Sequence, residues 1–429
     1  MEELQLINYR CFTDLKIYFA PNINLLVGDN ASGKTTILKA AKSVVSSFFT
    51  GYSDENTRFI GLSQKDFTQL TSDSGLVNYK PIELKFNLLN YQASMRLESE
   101  KGRQSTRTGT RTLESIKKYG KELKDTLFDE SQKQIKELPL FASFSTEDIH
   151  SSRKLSTDKF KAYFHKPSFG YYECLNGEGL FPYWIKRMLV LKEGNKGEIE
   201  VQGVRKALQD ALGPKGCNII TDIQIRPNQG KVYYIFTDGR EVETENLSDG
   251  YRRLINIVTD IAFRCMLLNQ GVYGVNACTK TKGSVLIDEI DLHLHTSLQT
   301  SVFKGLRVAF PLLQFIASTH APMVMTGIEP NEDNKIYLLS YSKENGYKVT
   351  ETQLYGMDAS SIIETALHTT PRVKEVDNEL NLLFSYIDEG HFEQAKEKLI
   401  ALQSTFGHNL PELAKAETML NFLVEDEEN

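Results

Sequence analysis

The run INLLVGDNASGKTT, residues 23–36, constrains this chain more than any other stretch. Its apolar half reads as a buried strand. From Gly33 onward Ile37, Leu38, Ala41, Val44 and Val45 recur at helical spacing. Between strand and helix lies GDNASGKT, which matches G-x-x-x-x-G-K-[ST] in full. Glycines at 28 and 33 let a backbone wrap phosphates, and the amides of the following helix N-terminus point at them. Lys34 can neutralise charge at the β- and γ-phosphates, and Thr35 offers a hydroxyl to Mg2+.

Three later segments carry matching chemistry. In SVLIDEIDLHLH an apolar strand ends in Asp288 and Glu289. Asp288 is placed to hold Mg2+ through water, and Glu289 to orient or deprotonate the water for in-line displacement. Asp291 falls where a dimer-contacting loop would lie. In FIASTHAP a second buried strand delivers His320, which can contact the γ-phosphate region if the two strands are neighbours. NLSDGYRRL opens a long helix from Asp249 to about Leu268; Ser248 suits its N-cap and Gly250 permits close approach. The chemistry of that helix start is anion recognition by Ser248 and the first helical amides.

The remaining pattern gives the organisation. LQLINY, LKIYF and PIELKFNLL alternate as strands; NIITDIQIRP and KVYYIFTDGREVETENL form a later strand pair. KIYLLSY is one more strand, and a helix is expected from His295 to Ala309. Residues 96–180 read as a partly helical insertion carrying Arg103, Arg107, Arg111, Lys117, Lys118, Lys121 and Lys124. This basic stretch fits a solvated helix face and a nucleic-acid or partner groove equally well. The main fold then occupies 1–95 and 181–345, and 346–429 is a helical region whose apolar faces include Leu380, Leu383, Ile387, Leu399 and Leu402.

Composition bounds the class. A net charge of -6 over 429 residues argues against indiscriminate nucleic-acid coating but leaves room for a local basic groove. No apolar run approaches the ~20 residues needed to span a bilayer, and the N-terminus lacks a secretory pattern. Cysteines at 11, 174, 217, 265 and 278 form no C-x-x-C pair. The expectation is a cytoplasmic protein with reduced thiols and no membrane partner.

The segments NYRCF, GDNASGKTT, NLSDGYRRL, DEIDLHLH and STHAP, in this order, resemble the ABC-type ATPase heads of the SMC and RecF-like group, including ATPases of prokaryotic anti-phage defence. The resemblance covers about residues 1–95 and 180–345. It implies an α/β fold: a P-loop head with a mixed N-terminal β-lobe, a parallel-sheet core with helices, a helical insertion and a C-terminal helical appendix. It implies ATP and Mg2+ as cofactors, with Arg10 near the base or ribose. Gly28, Asp29, Asn30, Ala31, Ser32, Gly33, Lys34, Thr35 and Thr36 would form the phosphate loop, and Asp288 and Glu289 the metal-binding and water-activating acids. His320 would be the switch histidine. Ser248, Asp249 and Gly250 would meet the γ-phosphate of an opposite subunit, making a homodimer or higher oligomer. Such heads also carry a glutamine between Mg2+ and a flexible lobe, for which Gln64 is the candidate, with Gln69 close by.

Departures sort the relatives. The insertion is too short and too poorly heptad-patterned for an SMC coiled coil. Residues 323–429 lack paired acids at strand ends, so no appended nuclease domain is expected, and VEDEEN reads as a solvated tail. The helical end resembles the C-termini of PtuA-type ATPases of Septu and related retron systems, which act with a separate HNH nuclease. Defence ATPases of the PARIS type, which hold a toxin subunit, and RecF-like repair ATPases that bind DNA are the alternatives.

Overall fold

Along the chain of the computed structural model the strands are β1 (Glu3–Tyr9), β2 (Phe12–Tyr18), β3 (Ile23–Gly28), β4 (Gln69–Ser72), β5 (Gly75–Asn78), β6 (Ile82–Leu88), β7 (Tyr91–Leu97), β8 (Leu140–Phe144), β9 (Ile220–Arg226), β10 (Lys231–Phe236), β11 (Glu241–Glu243), β12 (Gly283–Ile287), β13 (Leu313–Ser318), β14 (Asn334–Ser342) and β15 (Gly346–Thr352). Helices of two turns or more are α1 (Lys34–Ser46), α2 (Glu114–Asp125), α3 (Phe181–Glu193), α4 (Glu198–Leu212), α5 (Asp249–Tyr273), α6 (Val302–Ala309), α7 (Lys374–Asp388), α8 (Phe392–Phe406) and α9 (Pro411–Glu427). The structure describes residues 1–72, 75–78, 81–98, 110–145, 166–177, 179–194, 197–344, 346–370, 372–407 and 410–427. They fall into two compact units, Met1–Asp358 and Ala359–Asn429.

The first unit is built on a six-stranded sheet of order β15-β14-β3-β13-β12-β8, in which only β15 runs antiparallel to its neighbour. β3 and β13 are buried along their whole length, as expected of central parallel strands covered on both faces. A second sheet, β2-β1-β6-β7, is antiparallel and alternates buried with half-exposed residues. Helix α1 lies between them, touching β3, β12 and β13 on one side and β6 on the other. Its buried residues Ile37, Leu38, Ala41, Val44 and Val45 fill that layer. The expected mixed β-lobe and parallel-sheet core are both present.

Three boundaries move. LFASF, inside the segment expected to be an insertion, is β8, the edge strand of the core sheet, and pairs with β12 through Ser143↔Leu286. Five consecutive buried residues between polar stretches are too short a signal to separate core from insertion. Likewise β7 crosses position 95, and β15 belongs to the core sheet, so the C-terminal unit begins at Ala359 rather than at 346. The helix expected from His295 to Ala309 is two pieces, Thr296–Gln299 and α6. At the break Ser301 donates its hydroxyl to the Leu298 carbonyl, the local competition that hydroxyl side chains offer a helix.

Around α5, helices α3 and α4 and the small sheet β11-β10-β9 form a lateral lobe. A buried polar knot fixes α5 within it. Asp260 accepts from the Leu180 amide at 3.0 Å, Trp184 Nε1 at 2.6 Å and Arg264 Nε at 2.5 Å. Arg264 also donates to the Gly170 and Tyr172 carbonyls. Trp184 stacks on Phe263 with ring centroids 4.9 Å apart. Helix α2 buries Ile116, Gly120 and Leu123 and exposes Lys117, Lys118, Lys121 and Lys124. Arg103 and Arg107 of the basic stretch lie outside the described residues, as does the side chain of Arg111.

Among the described residues the second unit holds three long helices. Helices α7, α8 and α9 share one core of Leu380, Leu383, Ile387, Ala395, Leu399, Leu402, Leu413, Ala416 and Leu420.

Candidate active site

Parallel pairing brings the carboxyl ends of β14, β3, β13, β12 and β8 to one edge of the sheet, where open α/β folds bind ligands. The phosphate loop leaves from β3, Thr319 and His320 follow β13, and Asp288 and Glu289 follow β12. The condition attached to His320 is met: its strand lies between those bearing the loop and the acids.

The loop takes a shape that glycine permits. Gly28 has φ 141° and a Cβ there would sit 2.2 Å from the Leu339 carbonyl oxygen of β14; Gly33 has φ 100° and a Cβ there would sit 2.4 Å from Phe12 Cζ. The ring of Phe12, the first residue of β2, thus braces the start of α1. Asp29, Asn30 and Ala31 are exposed at the loop's crest, while Ser32 and Lys34 are buried. Lys34 Nζ donates to the Gly28 carbonyl at 2.8 Å and the Asp29 carbonyl at 2.7 Å. Burial lowers its ammonium to about 8, against the opposing pull of Asp288, Asp29, Glu289 and Asp291. Thr36 is half-buried and faces Cys11, whose thiol is pushed up by burial.

The acids stand next to the loop. Thr35 Oγ1 lies 3.4 Å from Asp288 Oδ1, and Ser318 Oγ donates to that same oxygen at 2.5 Å. Ser318 Oγ in turn accepts the Glu289 amide at 2.8 Å, and Thr319 Oγ1 donates to Asp291 at 2.5 Å. So β13 pins the acid loop through two hydroxyls. Glu289 is half-buried with φ 51°, a left-handed conformation rare for a long side chain. His320 is exposed. Among the described residues no three of His, Cys, Asp and Glu come together as a metal site. A divalent cation here would rest on Thr35, Asp288 and oxygens of a phosphate ligand, an oxygen-only set suited to Mg2+. The glycine cradle, the buried Lys34 and the Thr35–Asp288 pair therefore fit a Mg2+–nucleotide.

Gln64 and Arg10, two further expected members, lie on segments that hold each other, the Arg10 amide donating to the Asp66 carbonyl at 2.8 Å. Gln64 is exposed in the turn Gln64–Asp66, and the residues bordering the space beside Thr35 and Asp288 are Lys39, Lys42, Ser143, Phe144 and Ser145 with their apolar neighbours. The Asp288 amide donates to the Phe144 carbonyl at 2.8 Å, so the end of β8 stands next to that space. Arg10, with φ 53°, is held by Asp66 of the Gln64 turn, through Nε at 2.9 Å and Nη2 at 2.7 Å. It sits next to Cys11 and Phe12, which touch the loop at Gly33.

Ser248 caps α5 by position. Its carbonyl accepts the Arg252 amide at 2.8 Å, but its hydroxyl makes no capping hydrogen bond and is exposed together with Asp249. The amides at 249–251 precede the first intrahelical donor and point out of the tip. Gly250 allows a close approach within the chain: a Cβ there would sit 2.3 Å from the His293 carbonyl oxygen, in the loop after Glu289. The sequence alone did not single out Arg253, whose Nη2 donates at 3.0 Å to the carbonyls of both Asp288 and Glu289. Nor did it single out Ser318. A serine at the end of a buried strand, two residues before His320, is the only signal it offered.

A family model described as "AAA domain, putative AbiEii toxin, Type IV TA system" matches residues 23–326. "Retron Vc95 probable ATPase" of Vibrio cholerae serotype O1 biovar El Tor is 40% identical over 107 residues, which are 25% of this chain and 20% of that protein. "Retron Ec83 probable ATPase" of Escherichia coli is 26% identical across 90% of this chain and 79% of its own length. "Septu protein PtuA" of Bacillus thuringiensis is 24% identical across 77% of this chain and 74% of its own length.

Proposed function

The chain belongs to the family described as "AAA domain, putative AbiEii toxin, Type IV TA system", and on that premise we propose that it is the ATP-binding, ATP-hydrolysing switch subunit of an anti-phage defence complex. In this reading two copies pair through their heads, and the complex controls a separately encoded HNH nuclease. The observation that carries the reading is the meeting of Lys34, Thr35, Asp288 and Glu289 at one sheet edge, beside a glycine cradle. The names of the relatives, retron ATPases and a Septu protein, support the defence role.

The chemistry follows from these residues. The loop amides and Lys34 take the phosphates, while Thr35 and Asp288 hold Mg2+, which would neutralise charge on the transferred group. Glu289 orients water for in-line attack, and Ser248 with the α5 tip supplies the opposite copy's site with further donors. Glu289→Gln tests this: turnover of ATP should fall by at least about 100-fold while ATP binding persists and paired heads accumulate. Unchanged turnover would remove Glu289 from the role. A nucleic-acid role has one observation in its favour, the exposed row Lys117, Lys118, Lys121 and Lys124 on α2.

A further inference from the structure

Arg253 occupies the second turn of α5, five residues beyond Ser248. Its guanidinium reaches out of the helix to the acid loop, where one nitrogen bridges the carbonyls of Asp288 and Glu289. Those carbonyls flank the residue with the left-handed backbone, and such conformations persist only where surrounding contacts over-determine them. Ser318 fixes the Glu289 amide from the β13 side, and Arg253 fixes the carbonyls from the helix side. A second link runs parallel to it, since the backbone at Gly250 packs against the His293 carbonyl. A cavity of about 510 Å³ borders Arg253. Its side chain therefore has open space on one flank, and the two carbonyls hold it.

We propose that Arg253 is a positioning residue that couples the tip of α5 to the Glu289 turn, so that the placement of Ser248–Gly250 sets the aim of the Glu289 carboxylate. The proposal rests on the reading that this tip meets a phosphate of a second copy. Contact at the tip in one copy then adjusts the water-activating group of that same copy, through one guanidinium nitrogen whose reach lysine, one bond shorter, does not match. The coupling element is a physical chain of two hydrogen bonds, a helix turn and a strained residue.

The test uses the full-length protein and steady-state ATP turnover with Mg2+. Arg253→Met should lower kcat at least about 10-fold while KM for ATP and ATP-driven pairing of heads stay within about twofold, the signature of a contact that matters at the chemical step. Arg253→Lys should recover part of kcat. The single tryptophan, Trp184, hydrogen-bonds and stacks on α5, so unchanged emission reports that the helix is intact in each variant. If Arg253→Met loses that emission, Arg253→Lys alone decides: wild-type kcat would overturn the coupling, and reduced kcat at unchanged KM and pairing would support it. Wild-type kcat in an intact Arg253→Met would overturn it, as would a kcat loss matched by loss of pairing. Absence of both ATP binding and turnover in the unmutated chain would overturn the ATPase reading and the coupling together.

Discussion

Single residues carry the site's geometry, and Gly28 shows how tightly. Its missing Cβ is the gap through which the β14 carbonyl of Leu339 approaches β3, in a backbone conformation that L side chains rarely adopt. Gly28→Ala should cost about 2–3 kcal/mol and abolish nucleotide binding, read by denaturant unfolding and by titration with a fluorescent ATP analogue. Wild-type stability would mean that the β14 backbone yields. The motif residues were legible in the sequence because a loop that wraps phosphate is local: strand, glycines, lysine and helix follow one another within about fourteen positions. Ser318 and Arg253 were not, because each acts on the acid loop across a strand or helix contact between distant segments. Only the pairing of β8 with β12 reveals which backbone stands next to Asp288.

At the scale of elements, α5 is the member that the rest of the lateral lobe is organised around. Its start was readable from Ser248 and the apolar periodicity that follows, although the helix runs on to Tyr273, where Gly274 adopts φ 56°. What anchors it is ionic and buried: Asp260 and Arg264, each about 1% exposed, with the indole of Trp184. Asp260→Asn would leave the Arg264 charge without its counter-ion. The expected loss is about 3–5 kcal/mol, measured by chemical unfolding followed at Trp184. A loss below about 1 kcal/mol would show that the Gly170 and Tyr172 carbonyls suffice to hold the guanidinium. Strand β8 was illegible at this scale. Its five residues carry no period of their own, and their burial follows from β12 beside them rather than from their sequence.

For the whole molecule, the proposed pairing asks two places on one chain to serve two nucleotides: the cradle at the end of β3 and the exposed Ser248 at the tip of α5. Ser248→Arg should therefore leave ATP binding to the chain's own loop intact and remove ATP-dependent pairing, as seen by sedimentation with and without nucleotide. Loss of binding itself would argue that both halves serve one nucleotide in one copy. The left-handed turn at Glu289 has a consequence for how such a protein ages under mutation. Asparagine tolerates that backbone better than glutamate or glutamine does, yet is too short to do the same work. Glu289→Asn should be inactive and yet more stable than Glu289→Gln by about 0.5–1 kcal/mol in denaturant unfolding, two variants alike in charge. Equal stabilities would mean the turn bears no strain. If the difference holds, drift toward stability alone would erode the enzyme, and only selection for its chemistry keeps a glutamate there.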